Sequence, residues 1–287
     1  MQKKIRDAVL IVNRMKDSDL VCFNSVLAVL NKLGIRVRIQ KDLACDAKGV
    51  FEAYSSEEEL YSGADAVILL GGDGTFLSAA PLAIKNGVLM LGINLGRTGY
   101  MAELAPTEIH MLERLASGDY EIEERMTLSV YLENNGTRTL VCQNAINEIA
   151  VQSAFGLHCI ELVLYCDGSP VHEYRGSGVI ISTPTGSTAY SMSAGGPVLD
   201  PTLRCLSIVP VCSVSPQVKP LVFSGENVMT VENVCKLDER VSLNVDGKIS
   251  TELSFGARVI CTASDRPCKM IKIKDDKFFA VLRAKIK

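Results

Sequence analysis

Residues 66–76 read Ala66-Val67-Ile68-Leu69-Leu70-Gly71-Gly72-Asp73-Gly74-Thr75-Phe76, and what this stretch can fold into decides the class of the chain. Five consecutive apolar residues leave no polar face. Such a run fits a strand buried on both sides, as in a parallel sheet covered by helices. The pentapeptide Gly71-Gly72-Asp73-Gly74-Thr75 breaks the strand, residues 76–85 carry a helical pattern, and Gly87 ends it. In an open parallel sheet, ligands bind at the carboxyl ends of the strands. Glycines there let a ligand approach the backbone, and the amides at the start of the following helix can receive phosphate oxygens. Asp73 would then face the reacting groups, where a carboxylate can hold Mg2+ or another divalent cation, or accept a hydroxyl proton. The alternative is a tight strand–helix turn with an Asp cap. The pattern is neither a P-loop, since no Gly-Lys-Ser/Thr follows, nor the Gly-x-Gly-x-x-Gly dinucleotide fingerprint.

On either side of this stretch, strand and helix alternate. Residues 8–12 and 37–39 read as buried strands, and Leu20, Phe23, Leu27 and Leu30 recur at helical spacing before Gly34. Ser56 with Glu57, Glu58 and Glu59 reads as a capped helix start, and residues 88–93 as another buried strand. A further helix is expected over residues 106–117. Repeated strand–helix–strand units imply an α/β domain with a parallel sheet.

From about Arg125 the texture changes. Residues 127–133 and 137–141 flank Asn134-Asn135-Gly136, residues 158–166 and 171–174 flank Asp167-Gly168, and residues 240–245 and 248–253 flank Asp246-Gly247. Such pairs between short alternating runs are hairpin signals. The second half is therefore expected to be β-rich and antiparallel, sandwich-like. The division reads as an α/β domain over residues 1–104 and a β-rich domain over 105–267, with residues 268–287 returning to the first.

The balance of 30 Lys plus Arg against 33 Asp plus Glu, net −3, gives no basic footprint for nucleic acid. No apolar run reaches 18 residues, so no membrane span is expected, and no secretory signal is read at the start. None of the ten cysteines forms a Cys-x-x-Cys pair, and three pairs at a seven-residue offset (Cys159/Cys166, Cys205/Cys212, Cys261/Cys268) do not have zinc-ligand spacing. Reduced thiols and a cytoplasmic location are expected.

Two more segments suggest chemistry. Ser182-Thr183-Pro184-Thr185-Gly186-Ser187-Thr188-Ala189-Tyr190-Ser191 follows the apolar run 179–181. It offers short donors and acceptors and a tyrosine able to stack on a ring or bond a ribose. Read alone, it is equally a polar loop. Asn147-Glu148 interrupts an apolar strand context and is costly to bury without partners; ribose hydroxyls would serve, and a strand edge is the alternative.

Taken together, these segments resemble the NAD kinase family. The resemblance rests on the loop from Gly71 to Thr75, Gly92-Ile93-Asn94-x-Gly96-x-x-Gly99-Tyr100, Asn147-Glu148, Ser182 to Ser193 running into Ala194-Gly195-Gly196-Pro197, and Asn244-Val245-Asp246-Gly247. It implies phosphoryl transfer from ATP to the 2′-hydroxyl of the adenosine ribose of NAD, with Mg2+, in a homodimer or homotetramer. On that resemblance Asp73 is the essential acid, Gly71 and Gly72 belong to the phosphate loop, and Gly74 and Thr75 contact phosphate or ribose. Tyr100 lines the adenine site, Asn147 and Glu148 bind ribose hydroxyls, and Thr185, Thr188, Ala189, Tyr190 and Ser193 surround the dinucleotide. Arg175 offers charge to phosphate, and Asp246 lies near the reacting ribose. The chain departs from the family at Ser177, where an Asp is usual, at Ser213-Val214 in place of Pro-His, and at Lys219 in place of Arg. The glycine loop is shared with lipid kinases, so a lipid kinase and a catalytically impaired NAD-binding homologue stand as alternatives.

Overall fold

The structure is a computed structural model that describes all residues except 1, 97–98, 155–157, 236–239, 275–277 and 286–287. Side chains at 249–250, 279–280 and 284–285 are likewise outside the description. The chain forms two compact units, Met1–Glu124 with Cys268–Lys287, and Arg125–Pro267.

The first unit is built on a seven-stranded sheet in the order Glu52–Tyr54, Arg36–Gln40, Asp7–Val12, Ala66–Gly71, Leu89–Asn94, Cys268–Lys272, Glu121–Arg125. Neighbours from the first of these to Cys268–Lys272 pair in parallel. Ala66–Gly71 is central and buried along its whole length, which its unbroken apolar run requires. The helix Val21–Lys32 buries Phe23, Val26, Leu27 and Leu30, one face at 3–4 residue spacing. The Asp17 carboxylate caps its start by accepting the amides of Cys22 and Phe23. Gly34, at φ 71°, turns the chain out of it. Ser56 Oγ accepts the Glu59 amide at the start of Glu57–Tyr61.

Two boundaries differ from those expected. The helix after the glycine pentapeptide spans Asp73–Asn86, so Asp73 is its first residue, because the Gly72 carbonyl already takes the amides of Thr75 and Phe76. The first unit also runs on to Glu124 rather than stopping at 104. The segment 106–117 forms a 3₁₀ stretch, Pro106–Leu112, then a helix, Glu113–Ser117, and buries Leu112 and Leu115 in the first unit's core beside Ile5 and Tyr120. That burial, and the strand Glu121–Arg125 extending the same sheet, bind it to the first unit.

The second unit consists of two six-stranded sheets. One runs Ser169–Gly176, Ile160–Cys166, Met229–Asn233, Arg258–Ala263, Leu128–Asn134, Thr137–Ala145. The other runs Leu221–Ser224, Cys205–Val211, Gly178–Ser182, Glu148–Ser153, Val241–Val245, Ile249–Leu253. Every pairing described in them is antiparallel. Leu128, Val130, Leu162, Leu164, Val231 and Val259 of one sheet share a core with Ile149, Val151, Val179, Ile181, Ile208 and Leu243 of the other, which makes a sandwich. Three hairpins turn at Asn135-Gly136, Asp167-Gly168 and Asp246-Gly247, each pair with both φ values positive. All ten cysteines are free. Among the described residues, no helix is long and apolar enough to cross a membrane.

Candidate functional site

In the first unit, the strand Ala66–Gly71 delivers the glycine turn to the carboxyl edge of the sheet, beside the end of Leu89–Asn94. The helix that follows cannot bond its own first amides, so those of Asp73 and Gly74 point outward as donors. The Asp73 carboxylate is held by the next loop: the Tyr100 amide donates to Oδ2 (3.0 Å) and the Met101 amide to Oδ1 (3.1 Å). Gly99 makes this approach possible, since a Cβ there would lie 2.1 Å from Asp73 Oδ1. Each carboxylate oxygen keeps a second lone pair for another partner. Thr75 Oγ1 lies 3.5 Å from both the Gly72 amide and Asn13 Nδ2, a loose tie across the turn. Tyr100 is half-buried, and its ring centroid is 6.4 Å from that of Phe278. Burial, with the Asp73 charge second, raises the pKa of its phenol. Residues 97–98 of the motif that ends at Tyr100 lie outside the described residues.

In the second unit, three distant segments meet. The chain bends at Ile146-Asn147 between the strands Thr137–Ala145 and Glu148–Ser153. The Asp246 carboxylate, on a hairpin turn, accepts the amides of Ile146 (2.9 Å), Asn147 (2.8 Å) and Glu148 (3.1 Å). From the other side, Thr183 donates its hydroxyl to the Ile146 carbonyl (2.5 Å) and its amide to the Asn147 carbonyl (2.9 Å). Gly186 packs against the same peptide, where a Cβ would lie 2.1 Å from the Asn147 carbonyl oxygen. The bend is thus fixed through its backbone, and the side chains of Asn147 and Glu148 are left for other partners.

Those side chains are buried, at 7% and 8% exposure, and Asn147 Oδ1 and Glu148 Oε2 have no hydrogen-bond partner among the described residues. Burial first and nearby Asp246 second push the Glu148 carboxyl up to about 7, although the Tyr190 amide bonds to it. Asp246 is also raised by burial, against its three amides. Along Glu148–Ser153, Glu148, Ala150 and Gln152 share the face opposite the core residues Ile149 and Val151. Tyr190 lies over this face with its hydroxyl 3.4 Å from Gln152 Oε1.

The other expected residues fall into three groups. Thr185 is buried near the guanidinium of Arg125 (3.4 Å), and Thr188 Oγ1 bonds back to the Thr185 carbonyl. Ala189 joins the 3₁₀ turn Thr185–Thr188 to the short helix Tyr190–Ser193, on which Ser193 is exposed. Arg175 lies on the exposed hairpin strand Ser169–Gly176, 3.7 Å from the Glu161 carboxylate. Ser177 bridges strands through its backbone, to the Val211 carbonyl and from the Ser153 amide. Val214 is exposed, and Lys219 bonds the Pro216 carbonyl. Thr183 and Gln152 are not singled out by sequence reasoning. Alternation from Glu148 would have pointed to Gln152, whereas nothing local marks Thr183 as the lock on the bend.

An α/β unit with a glycine turn opening a helix, in one chain with a sandwich that clamps a hydroxyl-rich loop beside two buried ligand-type side chains, defines a nucleotide-handling enzyme of two domains. Residues 9–120 match the ATP-NAD kinase N-terminal domain, and residues 146–273 match the ATP-NAD kinase C-terminal domain. NAD kinase 2 of Streptomyces coelicolor is 36% identical, the alignment covering 99% of this chain and 95% of that one. The NAD kinase of Syntrophobacter fumaroxidans is 32% identical over 99% of each chain. The NAD kinase from Archaeoglobus fulgidus, solved in complex with ATP, matches at 27% identity with a TM-score of 0.72, covering 97% of this chain and 98% of its own. Yeast NADH kinase, solved with NADH, shares the fold at 20% identity and a TM-score of 0.89, covering 99% of this chain and 88% of its own. This chain belongs to the NAD kinase family.

Proposed function

We propose that the chain transfers the terminal phosphoryl group of ATP to the 2′-hydroxyl of the adenosine ribose of NAD, giving NADP. One observation carries the reading: Asn147 Oδ1 and Glu148 Oε2 are buried acceptors with no donor among the described residues. A buried acceptor without a donor costs about 1–3 kcal/mol, and ribose hydroxyls supply donors. Asn147 and Glu148 bind those hydroxyls. Thr185, Thr188, Ala189, Tyr190 and Ser193 line the dinucleotide, and Asp246 acts through the backbone it holds, as a positioning residue. Ser177, half-buried, stands on the nicotinamide side without the carboxylate usual there, and Arg175, exposed beside Glu161, offers its charge to phosphate.

In the first unit, the amides of Asp73 and Gly74 receive phosphate oxygens at a helix N-terminus, with Gly71, Gly72 and Thr75 shaping the turn. Asp73 orients the acceptor hydroxyl and takes up its proton as the new O–P bond forms and the bond from the terminal phosphorus to the departing ADP breaks. Mg2+ bound with ATP would neutralise phosphate charge, and the free lone pairs of Asp73 would hold such an ion. Among the described residues no cluster of three acidic, His or Cys side chains suits a resident metal. Tyr100 stacks on adenine. The Archaeoglobus fulgidus relative, solved with ATP, supports ATP as donor. Ten free cysteines suit a reducing cytoplasm, and the family resemblance implies a homodimer or homotetramer, which light scattering checks.

The test is a coupled assay for NADP with purified chain, NAD, Mg2+ and either ATP or polyphosphate. NADP formed from ATP, and lost when Asn147 and Glu148 are both changed to Ala with the fold intact, is the expected result. No NADP from either donor would sink the reading.

A further inference from the structure

Lys16 lies outside every motif considered above, yet its ammonium is folded over the glycine turn. A Cβ on Gly72 would lie 2.7 Å from Lys16 Nζ, and one on Gly96 would lie 3.6 Å from it. Both are glycines, so the ammonium fits there without a clash. Three adjacent strands converge to make the arrangement: Asp7–Val12 leads into Lys16, Ala66–Gly71 into Gly72, and Leu89–Asn94 into Gly96. The backbone of Lys16 is fixed by a tight turn. Its amide donates to the Asn13 carbonyl (2.9 Å), Asn13 Oδ1 accepts the Met15 amide (3.0 Å), and Asn13 Nδ2 reaches Thr75 Oγ1 (3.5 Å).

The electrostatics make this placement informative. Gly72 precedes the first turn of the helix Asp73–Asn86, the end that carries the positive pole of the helix dipole. An ammonium there adds positive potential to positive potential. Among the described residues, no carboxylate pairs with Lys16, and its side chain is exposed. A surface lysine free to extend into water has no reason to lie over a bare peptide turn. Outward-facing amides, a helix start and an ammonium converging on one spot suit a polyanion.

We infer that Lys16 binds the phosphate chain of a nucleotide held on the Gly71–Thr75 turn, either the triphosphate of ATP or the diphosphate of the dinucleotide. Lys16 neutralises charge on that chain as a point cation, and the helix amides fix its oxygens. The inference deepens the proposed phosphotransfer reading and rests on it.

The test uses the full chain with Lys16→Met and Lys16→Arg. Apparent KM for ATP is measured at saturating NAD, KM for NAD at saturating ATP, and the affinity for ATP and for NAD by calorimetry. One charge-assisted contact predicts a rise of about 10- to 100-fold in one KM for the Met variant, with a parallel loss of affinity for the same nucleotide and a smaller change in kcat. The arm that moves identifies the source of the phosphates. Lys16→Arg keeps the charge and should stay within about threefold of wild type. Both constants within twofold in the Met variant overturn the inference. So does a loss equal in Met and Arg that follows a lowered unfolding midpoint, since that marks a structural role. An inactive wild-type chain would count against the phosphotransfer reading alone, because calorimetry still reports whether Lys16 holds the nucleotide.

Discussion

Glu148 is a carboxylate whose environment disfavours its own charge: Oε2 is buried without a donor among the described residues, and burial with Asp246 nearby raises its pKa from 4.5 to about 7. In the folded chain it therefore holds a proton between those values that the unfolded chain has released. Stability from this group is fully present below its unfolded pKa and is lost as pH rises through the folded one, on the order of 3 kcal/mol in all. Asp246 shifts in the same direction, so the wild-type curve alone does not isolate Glu148. The difference between wild type and Glu148→Gln does. The expected result is that the Gln variant gains stability relative to wild type from pH 5 to pH 8, read from denaturant midpoints; parallel curves would refute it. Asp73 is a different case, because each of its oxygens already takes one amide. In Asp73→Asn the amide nitrogen of the side chain replaces one of these acceptors and cannot accept a proton. Turnover should fall by about 10³-fold or more while the far-ultraviolet circular dichroism is retained. Near-normal turnover would remove Asp73 from the chemistry.

Among the elements, those legible in the sequence are the ones with a local cause. The strand Ala66–Gly71 follows from its unbroken apolar run, and the three hairpins from Asn-Gly or Asp-Gly pairs that take up positive φ at both turn positions. The helix start at Asp73 was not legible, since Gly-Asp-Gly has loop propensity and only the Gly72 carbonyl, taking two amides, shows where the helix begins. Nor was the bend at Asn147. Its cause is an aspartate about a hundred residues later and a threonine on a third segment, contacts that no pattern local to Asn147 encodes. The coupling of Asp73 to the loop ending at Tyr100 is of the same kind and can be broken at Gly99. In Gly99→Ala the added methyl would sit 2.1 Å from Asp73 Oδ1, so either the carboxylate or the loop must move by an ångström or more. A misplacement of that size costs about 10²-fold in rate. The expected outcome is a drop of this order in kcat with a smaller change in unfolding midpoint; an unchanged kcat would mean that the carboxylate's position is not set by this loop.

At the scale of the whole chain, the change from strand–helix alternation to short hairpins is visible in sequence near Arg125, and the second unit begins at Arg125. The expected division at residue 105 gave the segment 106–117 to the β-rich domain, whereas Leu112 and Leu115 pack into the first core. The first unit is discontinuous. Its strand Cys268–Lys272 lies between Leu89–Asn94 and Glu121–Arg125, so the last twenty residues complete a sheet begun by the first hundred. A buried carboxylate anchors this return. Glu103, 6% exposed, accepts the amides of Ile273 (2.8 Å) and Lys274 (2.7 Å) and pairs with the Lys272 ammonium. Ending the chain after Pro267 would remove all three partners and open the sheet between two strands. Leaving one buried charge unpaired costs about 3–5 kcal/mol, a large share of the 5–15 kcal/mol that holds a typical domain folded. The sandwich of Arg125–Pro267 is continuous in the chain and loses none of its own strands. Truncation should therefore unfold the first unit selectively. In hydrogen exchange, amides in Ala66–Gly71 and Leu89–Asn94 should lose protection, while those in Gly178–Ser182 and Leu128–Asn134 keep it. If the first set stays protected, the returning strand is an accessory to a sheet that stands without it.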